Sequence, residues 1–133
     1  MSGDLKFAVI LGFMGQSRDR FQVFGPAYTL EEKIDRAAQV QGIGALEVGY
    51  PSEFQDVAYT QKLVTDRGLA FSTVNVNIKA DPVFHMGSLT SPDEAVRRQA
   101  IDYLKTGMDI AAEVGCNLVT CCPLGDGHDY SFQ

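Results

Sequence analysis

Four apolar stretches separated by three helical patterns constrain this chain more than any other feature. Leu5–Leu11 (LKFAVIL), Gly44–Tyr50 (GALEVGY), Leu69–Ile78 (LAFSTVNVNI) and Asn117–Cys122 read as strands. A helix signal fills each gap. Thr29-Leu30-Glu31-Glu32 is a capping box, in which the hydroxyl accepts an orphan helix N–H and Glu32 reaches back. Leu30, Ile34, Ala37 and Ala38 then share one face, and Gly42 suits the stop. A weaker helix is expected over Glu53–Arg67, with Val57, Leu63 and Val64 as its apolar positions and Gly68 near its stop. Ser91-Pro92-Asp93-Glu94 offers an N-cap hydroxyl, a proline at the first helical position and a glutamate three residues after the cap. The helix it opens is expected to run to Val114 and stop at Gly115. Its stripe is Val96, Ala100, Leu104, Met108, Ala111 and Ala112.

Strands joined by helical crossovers pair in parallel through right-handed connections. Two architectures satisfy that rule. One is a small doubly wound sheet. The other is the first half of an eight-stranded barrel, a fold of about 250 residues in full. The segment after the first strand, LGFMGQSRDRF, has Gly12 and Gly15 but lacks the third glycine of a dinucleotide fingerprint. Polar side chains gather after the strand C-termini: Gln16, Ser17 and Arg18; Tyr50; Asn75, Asn77 and Lys79; then Asp126–Tyr130. Barrels build their sites at that end. The opposite links, Gln41–Gly44, Arg67–Gly68 and Gly115–Cys116, are short and carry little chemistry. The expected fold is therefore an α/β half-barrel, (βα)3-β4, filling residues 1–133 as the N-terminal half of one barrel domain.

Charge and composition exclude several partners. The formal net charge is −6 and the basic residues are scattered, which argues against nucleic acid. No apolar run approaches the roughly 20 residues of a membrane span. The start, MSGDLKF, lacks a basic region followed by a long apolar one. Three cysteines, two of them adjacent, suggest no disulfide framework, so a reducing, cytoplasmic location is expected. Cys121 and Cys122 lack the spacing of a zinc pattern and read as small buried strand residues.

Several residues have the chemistry of a site. His128 between Asp126 and Asp129 combines a group that titrates near neutrality with carboxylates able to orient it, although Gly125-Asp126-Gly127 also reads as a plain turn. Glu47 is a lone carboxylate inside an apolar strand, so it must be paired, near water or functional. Asn75 and Asn77 share a strand face, because strand side chains alternate. Lys79 is a candidate anion contact. His85, in DPVFHMGS, reads as a structural loop histidine or as a reach over the mouth.

In order and spacing, GALEVGYP, GLAFSTVNVNI, SLTSPDEAVRRQAIDYLKTGMDIAAEVGCNLVTCCP and GDGHDYSFQ resemble the xylose-isomerase-like barrel superfamily. That group joins sugar and sugar-phosphate isomerases and epimerases to the AP endonuclease family 2 fold. The resemblance runs from Phe7 to Gln133 and covers the first half of the barrel. It implies a divalent metal (manganese, magnesium or cobalt) held by acidic and histidine residues of strands five to eight, so no complete metal set is expected here. It implies a metal-dependent sugar or sugar phosphate isomerase or epimerase, active once a second half-barrel chain or another copy completes the barrel. His128 would then be the acid/base. Glu47, Asn75, Asn77, Asp126, Asp129, Tyr130 and Gln133 would contact the carbohydrate. A metal-dependent glycoside lyase is a close variant, and an inactive fragment or structural subunit is the non-enzymatic alternative. An AP endonuclease is disfavoured, because the third and fourth strand ends read NVNIK and VTCCP, without histidine.

Overall fold

The computed structural model describes residues 6–18, 23–123 and 126. Its first helix starts where the capping box stands. Thr29 Oγ1 accepts from Glu32 N at 3.2 Å, and the Glu32 carboxylate accepts from Thr29 N at 2.7 Å. These bonds open α1, Leu30–Ala38.

The other two helices start later than their sequence signals suggest. Helix α2 spans Val57–Asp66, not Glu53–Arg67, and Asp56 caps it by accepting from Tyr59 N at 2.9 Å. Helix α3 spans Glu94–Glu113. Its cap is Asp93, which accepts from Ala95 N at 2.8 Å. Ser91 stands two residues back, its hydroxyl accepting from Asp93 N at 3.2 Å. The Arg97 guanidinium donates to the Ser91 and Pro92 carbonyls, so Pro92 stays outside the helix. Gly42, Gly68 and Gly115 hold φ of +89°, +71° and +74°, the left-handed turns that return each helix to the next strand.

Strand β1 (Phe7–Ile10) stops before Leu11, which enters a 3₁₀ turn over Leu11–Met14. A short antiparallel ribbon, β2 (Ser17–Arg18) with β3 (Val23–Phe24), follows. Two-residue strands have no periodicity to read, so nothing in the amino-acid pattern signals them. The main strands are β4 (Ile43–Tyr50), β5 (Ala70–Val76) and β6 (Val119–Cys121). They form one parallel sheet in the order β1-β4-β5-β6, so β1 and β6 are its edges among the described residues.

All three helices pack on the same side of that sheet. Leu46, Val48 and Val74 form one core with Ile34 and Ala37 of α1, Leu63 and Val64 of α2, and Ile110 and Ala111 of α3. A doubly wound sheet would divide its helices between two faces; a half-barrel puts them all outside. The half-barrel is the fold found. A bulge helps to build this face. Leu46 pairs with Phe71 but Glu47 pairs with Thr73, leaving Ser72 unmatched. The extra residue puts Phe71 on the same side as Val74, where it stacks on Phe54.

The α3 stripe differs from the expected one. Ala100, Gly107, Ile110 and Ala111 are buried, whereas Met108 is 58% exposed and Ala112 also faces out. Gly107 lies directly on β5: a Cβ there would stand 2.3 Å from Val76 Cγ2. Ala38, expected on the inner face of α1, is exposed.

Candidate functional site

The sheet face opposite the helices is polar. Register places Glu47 beside Thr73, and Asn75 between Gly49 and Thr120. Side chains alternate along each strand, so Glu47, Thr73, Asn75 and Thr120 share the open face. The Asn75 amide donates to Glu47 Oε1 at 2.7 Å. The lone strand carboxylate is therefore paired, as the cost of burying it requires. Thr73 is buried beside this pair. Thr120 Oγ1 is buried with no hydrogen-bond partner among the described residues. Neither threonine stands out in the sequence, because only strand register sets them beside Glu47 and Asn75.

A second polar cluster lies where β1 gives out. The β1–β4 ladder ends at Ile10 and Glu47. Beyond it, Gly49 N donates to Glu53 Oε2 at 2.8 Å, and Lys33 of α1 ion-pairs with the same carboxylate. Glu53 thus takes the place of a missing strand partner. Its carboxylate sits 3.3 Å from where a Cβ on Gly49 would be, which favours glycine at that position. Glu53 is buried within a turn and is not a helix residue.

The third cluster joins two loops. Beyond β6, Asp126 N donates to Pro123 O at 2.9 Å. The Asp126 carboxylate then accepts from Ser88 N, from Ser88 Oγ at 2.9 Å and from Thr90 N at 3.3 Å. Burial pushes its carboxyl up, but the bonds from Ser88 and Thr90 outweigh that and hold it below the ordinary aspartate value. Asp126 therefore faces its own protein.

The remaining candidates are spread along the same end of the sheet. Asn77 lies just beyond β5, and its side-chain oxygen accepts from Lys79 N and Ala80 N, both at 3.0 Å. Its amide oxygen is thus engaged by its own loop. Lys79 is exposed. His85 is exposed, with Nδ1 2.7 Å from Pro82 O of its own loop. Cys121 is half-buried and its thiol is pushed up by burial, then by Cys122 and Asp126. Cys122 is exposed beyond the end of β6 and does not belong to the buried strand. His128, Asp129, Tyr130 and Gln133 lie outside the described residues.

Among the described residues, no three histidine, cysteine, aspartate or glutamate side chains converge as a metal would require. Glu47 meets an amide, Glu53 a lysine and Asp126 a serine, so these carboxylates do not combine into one ligand set. No helix among the described residues is long and apolar enough to cross a membrane.

The comparisons with known proteins agree with this architecture. A family model described as xylose isomerase-like TIM barrel matches residues 34–131. A xylose isomerase of Thermus thermophilus is 33% identical over 81 residues, which is 59% of this chain. The chain spans 21% of the length of that relative.

Proposed function

The chain belongs to the xylose isomerase-like TIM barrel family, and from that premise we propose that it serves a sugar or sugar phosphate isomerase or epimerase. One observation supports the reading most directly. The open face of the half-barrel presents a carboxylate and an amide, Glu47 and Asn75, already hydrogen-bonded to each other. Such a pair can accept from and donate to neighbouring sugar hydroxyls.

In this proposal Glu47 and Asn75 orient the sugar from the sheet, with Nδ2 of Asn77 at the strand end. His128 takes the proton from the carbon beside the carbonyl and returns it to the former carbonyl carbon in an isomerase or to the same carbon in an epimerase, a role worth about 10²–10⁴-fold in rate. Asp129, Tyr130 and Gln133 contact the carbohydrate from the same segment. The described residues supply no metal set of their own. Further strands complete the barrel at the edges of β1 and β6.

Deuterium uptake tests the reading. The protein, in an assembly that completes its barrel and with manganese added, is incubated in D2O with a panel of aldoses, ketoses and their phosphates, and the carbon beside the carbonyl is followed by NMR. At least one sugar is expected to exchange, and His128→Ala is expected to slow that exchange by about 10²–10⁴-fold. If every sugar failed to exchange and none shifted the Asn75 side-chain resonances, the enzymatic reading would be wrong and a structural subunit would take its place. A His128→Ala rate within threefold of the parent would remove that residue from the chemistry.

A further inference from the structure

All three hydrogen bonds to the Asp126 carboxylate cross to a different loop. Oδ1 holds both polar atoms of Ser88, and Oδ2 holds Thr90 N at 3.3 Å. Ser88 is 1% exposed, so neither its N–H nor its hydroxyl has water as an alternative. The chain then continues into the start of α3. Ser91 N donates to Ser88 O at 3.3 Å, and Ser91 Oγ accepts from Asp93 N, the cap residue. On the other side, Asp126 N donates to Pro123 O, which ties Asp126 to the end of β6.

We propose that Asp126 is a positioning residue: it latches residues 88–90 to the chain leaving β6 and so sets the shape of one side of the mouth. Sequence chemistry alone would assign it to the substrate, beside His128. The geometry instead assigns its oxygens to backbone and hydroxyl donors of the protein. The fit is specific to a carboxylate. An asparagine could turn its oxygen to Ser88, but its NH2 would then face the Thr90 N–H, donor against donor. Only the consequence for a sugar rests on the function proposed above; the latch itself does not.

Backbone amide exchange in Asp126→Ala and Asp126→Asn tests the latch. In Asp126→Ala, Ser88 and Thr90 are expected to exchange about 10–100-fold faster, while Val48 in the core of β4 keeps its rate. Asp126→Asn should free Thr90 and leave Ser88 largely protected, a split that general loosening cannot produce. Unchanged rates at both residues, or equal acceleration at Ser88 and Val48, would overturn the proposal. In turnover, Asp126→Ala should raise KM with kcat within threefold; a fall in kcat at constant KM would put Asp126 on the reacting atoms and overturn it as well. If the parent turned over no sugar, the functional reading would fall and the exchange pattern alone would decide the latch.

Discussion

The loop after β1 and the loop after β5 leave the same end of the same sheet, yet they are built in opposite ways. Past the buried Leu11, the first exposes large apolar side chains: Phe13 is 69% exposed, and Val23 and Phe24 also face solvent. A side-chain hydrogen bond within it, from Gln16 Nε2 to Gly25 O at 3.4 Å, is long and weak. The second buries Ile78 and Phe84, although Leu89 is exposed, and turns side-chain acceptors onto its own backbone. Phe84 is 4% exposed, and its ring meets Tyr103 edge-on at 5.5 Å. Asn77 caps Lys79 and Ala80, Asp81 caps Val83, and Asp126 holds Ser88 and Thr90. Asp81 also accepts from the Tyr103 hydroxyl at 3.2 Å, and burial raises that phenol above its ordinary value. A strand-to-helix loop becomes a rigid wall when acids and amides recur every few residues to take up backbone donors. Without them it relies on whatever covers its apolar side chains.

Two phenylalanines measure that contrast at its largest. Phe84→Ala removes a buried ring from a cluster with Val76, Ile78 and Ala100 and should cost about 3–5 kcal/mol. Phe13→Ala should stay within about 0.5 kcal/mol of the parent, because its ring is mostly in water already. Urea unfolding of the two variants side by side gives the comparison. Equal losses would show that the two loops are anchored alike and that exposure misjudges Phe13.

The wall also depends on the helix behind it. Gly107 lets α3 approach β5 so closely that an added methyl would overlap Val76, a residue of the same cluster as Phe84. Gly107→Ala should therefore cost about 1–3 kcal/mol, even though alanine is the better helix former. A stabilised variant would mean that α3 can shift outward freely and that the loop after β5 does not need its present floor.

These examples also mark what is legible in the sequence. The (βα)3-β4 order is, because each strand is a run of apolar residues and each helix has a start signal. The capping box at Thr29 is, because both of its bonds lie within four residues. The cap of α3 lies two residues beyond the expected one: SPDE offers both Ser91 and Asp93 as caps, and Arg97, a turn further on, ties the Ser91 and Pro92 carbonyls outside the helix. Glu53 reads as a helix residue because its partner, Lys33, lies twenty positions away. The pairing of Glu47 is expected in kind but not in partner, since only strand register puts Asn75 in reach. Asp126 is recognisable as polar chemistry near the mouth, but its partners, 36 and 38 residues back, decide that it faces inward. Local signals can be read from the chain; contacts set by register and loop closure cannot.

The smallest expected effect asks whether the satisfaction seen in the wall continues down into the sheet. Ser88 and Ser91 are buried in the loop after β5, and both hydroxyls are bonded. Thr120, one strand away and in register with Asn75, has a buried hydroxyl without a partner among the described residues. A buried hydroxyl that makes no bond has lost its hydration and gained nothing, a cost of about 1–3 kcal/mol. Valine has nearly the same shape and keeps the branched Cβ that strands favour. Thr120→Val should therefore leave stability unchanged or raise it by about 1 kcal/mol, seen as a higher urea midpoint at constant slope. Ser88→Ala, the matching change in the wall, should lose about 1 kcal/mol, because it removes a bonded hydroxyl and leaves part of the Asp126 carboxylate unmet. If Thr120→Val lost stability as Ser88→Ala does, the Thr120 hydroxyl would have a partner after all, and the open sheet face would be satisfied in the same way as the wall above it.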